Sequence, residues 1–297
     1  MIEIVEVGPR DGLQSEQAVL PIPTKVELIR RLEAAGARRI EVVSFANPEL
    51  VPQMAGAEEV CAALATRSFS AIGLVLNDRG LERASACDLD EINLVAYASD
   101  GYAEKNSGAT AARRNTEAAR LAASADRRVT VTIAVAFGDP IDGTVPPERV
   151  VDIAAAMAAA GAVEIALGDT IGVAVPPAVE RLVTALRGAL PGTGIRCHFH
   201  NTRNAGYANA FAAMSAGCSA LDAAVGGFGG SPFSPGAGGN VATEDLTAIL
   251  RRSGIDTGID PERAAEIGAW LAAQLGHDSP SAMTGRAAAW PPRFTAP

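Results

Sequence analysis

Histidine is scarce in this chain: 297 residues contain only His198, His200 and His277. Cysteine is scarce too. Cys61, Cys87, Cys197 and Cys218 show no C-x-x-C spacing, so they read as reduced, mostly buried thiols of a reducing compartment rather than a disulfide framework. No apolar run approaches the length of a bilayer crossing, and the alanine-rich stretches carry charges, which excludes a transmembrane helix. Positive charge is in deficit, with 25 Lys and Arg against 34 Asp and Glu and a net charge of −9. That balance argues against broad binding to nucleic acid or to an anionic membrane. It leaves room for a small anionic substrate, because a local cationic pocket outweighs the global field. Strand-type residues begin at Ile2, so no targeting segment is expected and a cytoplasmic protein is.

What the chain does have is a regular alternation of strand-type and helix-type segments. Strand patterns fall at 2–7, 39–44, 70–76, 91–96, 129–136, 163–167, 194–200 and 220–225. Helical spacing falls at 24–35, with Thr24 as a candidate cap, then at 58–65, 79–86, one long alanine-rich helix at about 109–124, 147–160, 177–186, 204–216, 243–252 and 261–275. Eight such units predict an α/β fold, a (β/α)₈ TIM barrel with an extra C-terminal helix. A doubly wound open sheet is the alternative, but eight regular units favour closure. The expected organisation is one catalytic domain over 1–278 and a loosely ordered tail over 279–297.

The two histidines that end the seventh strand share a face, because a strand sends residues i and i+2 to the same side. Two imidazoles so placed can hold a divalent metal and leave positions open for substrate. Taken alone, the pair reads equally well as two ordinary hydrogen-bonded rings. The other polar residues break the tie. Arg10 and Asp11 follow strand one, Glu41 lies on strand two, Asp169 follows strand six, and Ser231 and Asn240 lie in the glycine-rich loop after strand eight. Each has a plain structural reading: a surface ion pair, a charge paired with a lysine, a turn, a capping neighbour. Together they converge on one rim, since strands seven, eight and one adjoin in a closed barrel. Asp11, His198, His200 and Asn240 can then surround one ion, and such a nitrogen and oxygen set with room for water suits Mg²⁺ or Mn²⁺. Gly227-Phe228-Gly229 is no dinucleotide fingerprint, because no helix opens directly after it.

The motifs Val7-Gly-Pro-Arg-Asp-Gly-Leu-Gln-Ser-Glu16, Ile40-Glu-Val-Val-Ser-Phe45, Val51-Pro-Gln-Met54, Leu167-Gly-Asp-Thr-Ile-Gly172, His198-Phe-His200 and Gly239-Asn-Val-Ala-Thr-Glu-Asp245 resemble the 3-hydroxy-3-methylglutaryl-CoA lyase family, in order and across nearly the whole chain. The resemblance implies metal ligation by Asp11, His198, His200 and Asn240. It places Arg10 beside the thioester carbonyl and Gln14, more weakly, on the substrate side. Asp169 and His198 would handle the hydroxyl proton, Glu41 would support the centre, and Ser231 would stand at the position of a reactive cysteine. The implied reaction is cleavage of 3-hydroxy-3-methylglutaryl-CoA to acetoacetate and acetyl-CoA, a step of leucine degradation and ketone-body metabolism, in a homo-oligomer, a dimer, that meets neither membrane nor nucleic acid.

Two departures bear on the substrate. The family motif Gly-Gly-Cys-Pro reads Gly229-Gly-Ser-Pro232 here, which exchanges a thiol that titrates near pH 8.5 for a hydroxyl with no comparable titration. The family's His-x-His-Asp-Thr reads His198-Phe-His-Asn-Thr-Arg203, which removes a negative charge and brings an arginine toward the expected mouth. Lys105, Arg113 and Arg114 read first as a solvated helical face, with the phosphates of CoA as the functional alternative. A lyase for another branched 3-hydroxyacyl-CoA, citramalyl-like or isoprenoid-derived, is the second reading. A synthase of the same superfamily and a non-catalytic acyl-CoA-binding barrel are the others.

Overall fold

The computed structural model describes residues 2–230 and 239–285. Eight parallel strands close in sequence order: β1 (Glu3–Glu6), β2 (Arg39–Ser44), β3 (Ser70–Leu74), β4 (Glu91–Tyr97), β5 (Arg128–Ala134), β6 (Glu164–Asp169), β7 (Gly194–Phe199) and β8 (Ala220–Ala223). Closure is made by β1 against β8, with Glu3 opposite Ala220 and Glu6 opposite Ala223. The helices are α1 (Ile22–Ala34), α2 (Ala57–Ala63), α3 (Asp78–Ser85), α4 (Asp100–Ser107), α5 (Ala111–Ser124), α6 (Pro147–Ala159), α7 (Pro176–Ala189), α8 (Gly206–Ser215), α9 (Thr243–Arg252) and α10 (Pro261–Leu275). The expected TIM barrel is thus the fold, and α10 is the extra C-terminal helix.

The alternation of each strand divides its residues between two environments. One set, including Ile40, Ile92, Leu94, Val131, Ile133, Ile165, Leu167, Ile195 and Phe199, is buried in the shell between barrel and helices. The other set fills the interior, and much of it is ionic. Arg39 bridges Glu91 (2.6 Å) and Glu164 (2.6 Å) and reaches Glu3 (3.0 Å). Arg196 stands between Glu164 (3.5 Å) and Asp222 (3.3 Å). Val5, Val7, Ile72, Ala220 and Ala224 form a separate small apolar cluster, in which Ala220 and Ile72 lie in register with Arg196 and Glu91 of the ionic layer. A buried ion pair is weak evidence for net stability, but losing one partner leaves an uncompensated charge that costs ~3–5 kcal/mol.

Two local expectations are corrected, and one helix is added. The helix expected at about 109–124 is α5, started by the Thr110 hydroxyl accepting the Arg113 amide; the added helix is α4, which precedes it and ends at Gly108 with φ 70°. Thr24 does not cap α1; the helix starts earlier, with Pro21 at the N-cap and Thr24 inside the first turn. Residues 279–285 are not loose. Asp245 on α9 accepts hydrogen bonds from the Ser281 hydroxyl and the amides of Ala282 and Met283, and Thr284 donates to Glu244. All four cysteines are free thiols. No described helix is long and apolar enough to cross a membrane.

The loops after β1 and β8 are tied together by one buried carboxylate. Glu6 accepts the Gly8 amide (2.7 Å), the Val225 amide (3.0 Å) and the Thr243 hydroxyl (2.6 Å). Burial pushes its pKa from 4.5 to about 7 against the pull of those three donors. A raised carboxyl stabilises the fold fully below its unfolded pKa, and that contribution is lost as pH rises through the folded value. Stability should therefore fall between about pH 4.5 and 7 with a slope approaching ~1.4 kcal/mol per pH unit from this group. Glu6→Gln should flatten that fall, as read from urea midpoints across the same window.

Candidate active site

The turn after β1 presents two side chains at once. The Val7 carbonyl accepts the amides of Arg10 (3.1 Å), Asp11 (2.7 Å) and Gly12 (3.2 Å), which winds Gly8–Gly12 tightly over the barrel mouth. Arg10 is then clamped. It donates to Glu41 through Nε (2.7 Å), pairs with it through Nη2 (2.5 Å), and donates to Asp11 Oδ1 through Nη1 (2.6 Å). The Glu41 carboxylate also accepts from Asn93 (2.9 Å), whose own oxygen accepts from Thr132 (2.9 Å). Burial alone would lower the Arg10 pKa, but the charges of Glu41 and Asp11 raise it, so the guanidinium is a fixed cation.

Asn240 reaches the same spot from the other side of the closure. It pairs with His200 as an isolated antiparallel bridge. Its Nδ2 donates to Asp11 Oδ2 (2.9 Å) and to the Phe228 carbonyl (2.9 Å). Gly239 is required there, since a Cβ on it would lie 2.0 Å from the Gly227 carbonyl oxygen. His198 and His200 project together from the end of β7 with ring centroids 5.1 Å apart, and His198 Nε2 lies 3.8 Å from Asp11 Oδ2.

Asp11, His198 and His200 each bring a ligand atom within 4.8 Å of the others'. Burial raises the Asp11 pKa, yet Arg10 and the two histidines pull it well below the ordinary carboxylate range. Burial, then His198, lowers His200 to about 4, so that ring is neutral at physiological pH. Burial also opposes charge on His198, but the Asp222 hydrogen bond and the Asp11 charge leave its pKa raised. Among the described residues, His200 Nδ1 and Asn240 Oδ1 are buried without a hydrogen-bond partner. A carboxylate, two imidazoles and an orphaned amide oxygen are a donor set for a divalent cation. Asp11, His198 and His200 line a cavity of about 180 Å³, together with Arg10, Gln14, Asn93, Thr132, Thr170 and Asp222; Asn240 meets them through its hydrogen bond to Asp11.

The structure thus brings Arg10, Asp11, Glu41, His198, His200 and Asn240 together, with Gln14 on the cavity wall. It does not bring Asp169 in. Gly168 and Thr170 line the cavity, whereas Asp169 accepts the amides of Val173 (2.8 Å) and Ala174 (3.1 Å) on Oδ1 and that of Ala174 again on Oδ2 (3.2 Å). Burial raises its pKa to about 6, but its oxygens are committed to the loop after β6. Asp169→Asn keeps the Oδ1 acceptor, so turnover should fall less than about tenfold. A general base in direct contact would lose 10²–10⁴-fold, which a kcat measurement separates. Ser231 lies outside the described residues. Arg203 is not among the residues that line the cavity; it donates to the carbonyls of Ile171 (2.7 Å) and Gly172 (3.1 Å) in the loop after β6. Arg114 donates to Ser107 and pairs with Glu117. Asp222 and Asn93 were not singled out from the sequence. For Asn93 the signal was there, because Glu91-x-Asn93 puts two polar residues on one strand face; for Asp222 the signal was a lone carboxylate in an apolar strand.

A closed parallel barrel with a histidine and carboxylate cluster at the carboxyl ends of its strands is the architecture of a TIM-barrel enzyme. The family model for HMGL-like proteins matches residues 1–270. The (R)-citramalyl-CoA lyase of Chloroflexus aurantiacus is 45% identical over 96% of this chain and 94% of its own length. The hydroxymethylglutaryl-CoA lyase of Pseudomonas mevalonii is 39% identical over 93% of each chain. The solved structure of an HMG-CoA lyase from Acinetobacter baumannii, in complex with coenzyme A and 3-methylmalate, superposes with a TM-score of 0.92 at 34% identity, covering 100% of this chain and 97% of that one. The chain belongs to the hydroxymethylglutaryl-CoA lyase family of TIM-barrel lyases and is a carbon–carbon lyase.

Proposed function

We propose that the chain cleaves 3-hydroxy-3-methylglutaryl-CoA to acetoacetate and acetyl-CoA, using a divalent cation, Mg²⁺ or Mn²⁺, held by Asp11, His198, His200 and Asn240. The observation that carries this is the meeting of Asp11, His198 and His200 with a guanidinium locked by Glu41 on one cavity wall, with Asn240 hydrogen-bonded to Asp11. The reaction removes the proton of a tertiary hydroxyl, breaks the C2–C3 bond and leaves its electron pair on the thioester as an enolate, which then takes up a proton at carbon. When bound, the cation supplies Lewis acidity that lowers the pKa of a hydroxyl beside it by several units. Arg10 supplies the second charge. Three of its five N–H donors go to Glu41 and Asp11, which leaves others to receive the enolate oxygen as charge develops there. Glu41, braced by Asn93 and Thr132, holds the guanidinium in place so that it does not reorganise during the reaction. Asp169 serves as a strut for the loop after β6 rather than as the base. The coenzyme A seen with the Acinetobacter baumannii enzyme supports an acyl-CoA thioester as the ligand of this cavity.

A second substrate is favoured by the 45% identity to (R)-citramalyl-CoA lyase and by Ser231 in place of cysteine. Citramalyl-CoA carries the same tertiary carbinol with its carboxylate one methylene closer, and its cleavage gives pyruvate and acetyl-CoA. Both thioesters should be offered to the protein with Mg²⁺ and with Mn²⁺, and acetoacetate and pyruvate measured. A kcat/KM ratio in favour of acetoacetate supports the first substrate and the reverse supports the second. Cleavage of neither removes the proposal.

A further inference from the structure

The two histidines of the cluster sit two residues apart on one strand yet are held differently. His200 Nδ1 is buried without a hydrogen-bond partner among the described residues. His198 Nδ1 lies 3.1 Å from Asp222 Oδ2. Asp222 comes from β8, the strand next to β7, and lines the same cavity. A carboxylate only accepts, so Nδ1 must carry the hydrogen, and the lone pair of a neutral His198 ring is left on Nε2. Nε2 is the nitrogen that faces Asp11, at 3.8 Å. Asp222 is itself held from below. Arg196 Nε stands 3.3 Å from its other oxygen and 3.5 Å from Glu164, whose carboxylate also meets Arg39 at 2.6 Å. Asp222 Oδ1 and Arg196 Nε make no well-aligned hydrogen bond, so the guanidinium acts on the carboxylate through charge.

We propose that Asp222 is a positioning residue that sets the tautomer and the ring plane of His198, aiming Nε2 at the cation site, and that the ionic floor of the barrel anchors Asp222 through Arg196. This rests on His198 being a ligand, as proposed above. A carboxylate behind a ligating imidazole fixes its orientation and raises its basicity, and removal of such a partner weakens metal binding 10–100-fold. Ordinary burial of an ion pair would not place one oxygen of Asp222 on the imidazole and the other toward Arg196.

The test uses the whole chain and three readouts. First, ¹⁵N-labelled histidine NMR of the metal-free wild type should show His198 protonated at Nδ1; the Nε2–H tautomer with a bare Nδ1 overturns the proposal, and this measurement needs no variant. Second, Mn²⁺ titration of Asp222→Asn should give a Kd raised 10–100-fold over wild type, with a changed His198 ring spectrum. A Kd within twofold of wild type and an unaltered spectrum overturn it. Third, at saturating Mn²⁺ the variant's KM for the thioester should stay within about threefold of wild type while kcat falls, since Asp222 acts through the imidazole; a rise in KM with unchanged kcat overturns it. Wild-type protein that binds no Mn²⁺ sinks the ligand reading itself, and the tautomer measurement still decides the orientation.

Discussion

His200→Ala should remove divalent-ion binding, and with it turnover. Asn240 and His200 are paired by a backbone bridge, and Asp11 is fixed by Arg10 and by the Asn240 amide, so the remaining donors stay where they are when the ring is lost. The variant then reports the loss of one donor rather than collapse of the rim. Removing a partner behind a ligand costs 10–100-fold in affinity, so removing a ligand outright should raise the Mn²⁺ Kd by more than about 100-fold. Calorimetry or Mn²⁺ paramagnetic resonance gives the number directly. The unligated ring is held neutral by burial and by His198, so its replacement by a methyl group leaves no unpaired charge, and the thermal midpoint of the metal-free protein should move little. Retained Mn²⁺ affinity in this variant would dismantle the proposed centre.

Arg10→Gln should lower kcat by about 10²–10³-fold, the loss typical of deleting a preorganised donor at a developing oxyanion. Binding of the ground-state thioester should change less than catalysis, because the enolate charge exists only on the way to product. A control separates charge from structure. Arg10 neutralises Asp11 and Glu41, so the glutamine variant leaves two carboxylates facing each other. Arg10→Lys keeps the charge and loses the fork, and it should recover cation binding before it recovers kcat. A lysine variant with wild-type turnover would show that guanidinium geometry is not used.

Much of the barrel was legible because its signal is repetitive. Eight strand and helix alternations admit few architectures, and β2 and α10 fall where the pattern put them. The histidine pair was legible from parity alone. Asp169 was expected at the rim because it follows the sixth strand, and parity was not applied to it. Glu164 belongs to the interior network, so Gly168 shares its face and Asp169 takes the opposite one, as its hydrogen bonds to Val173 and Ala174 show. The interior ions stayed hidden for a different reason. Arg39, Glu91, Glu164 and Arg196 come from four different strands, and nothing local says that residues up to 125 positions apart meet. The short helix α4 was not legible, because Tyr102 and Ala103 are the apolar side chains of Asp100–Ser107 and make no repeating stripe.

The salt-linked interior also constrains how this chain can diverge. Arg39 answers to three acidic side chains and Arg196 to two, so a single neutral replacement strands a charge in the dark of the barrel. Descendants that change this layer must change it in matched sets, through intermediates that barely fold. A saturation library selected for growth would therefore mark positions that never touch a substrate as immutable, while the walls that choose the acyl group remain free to wander.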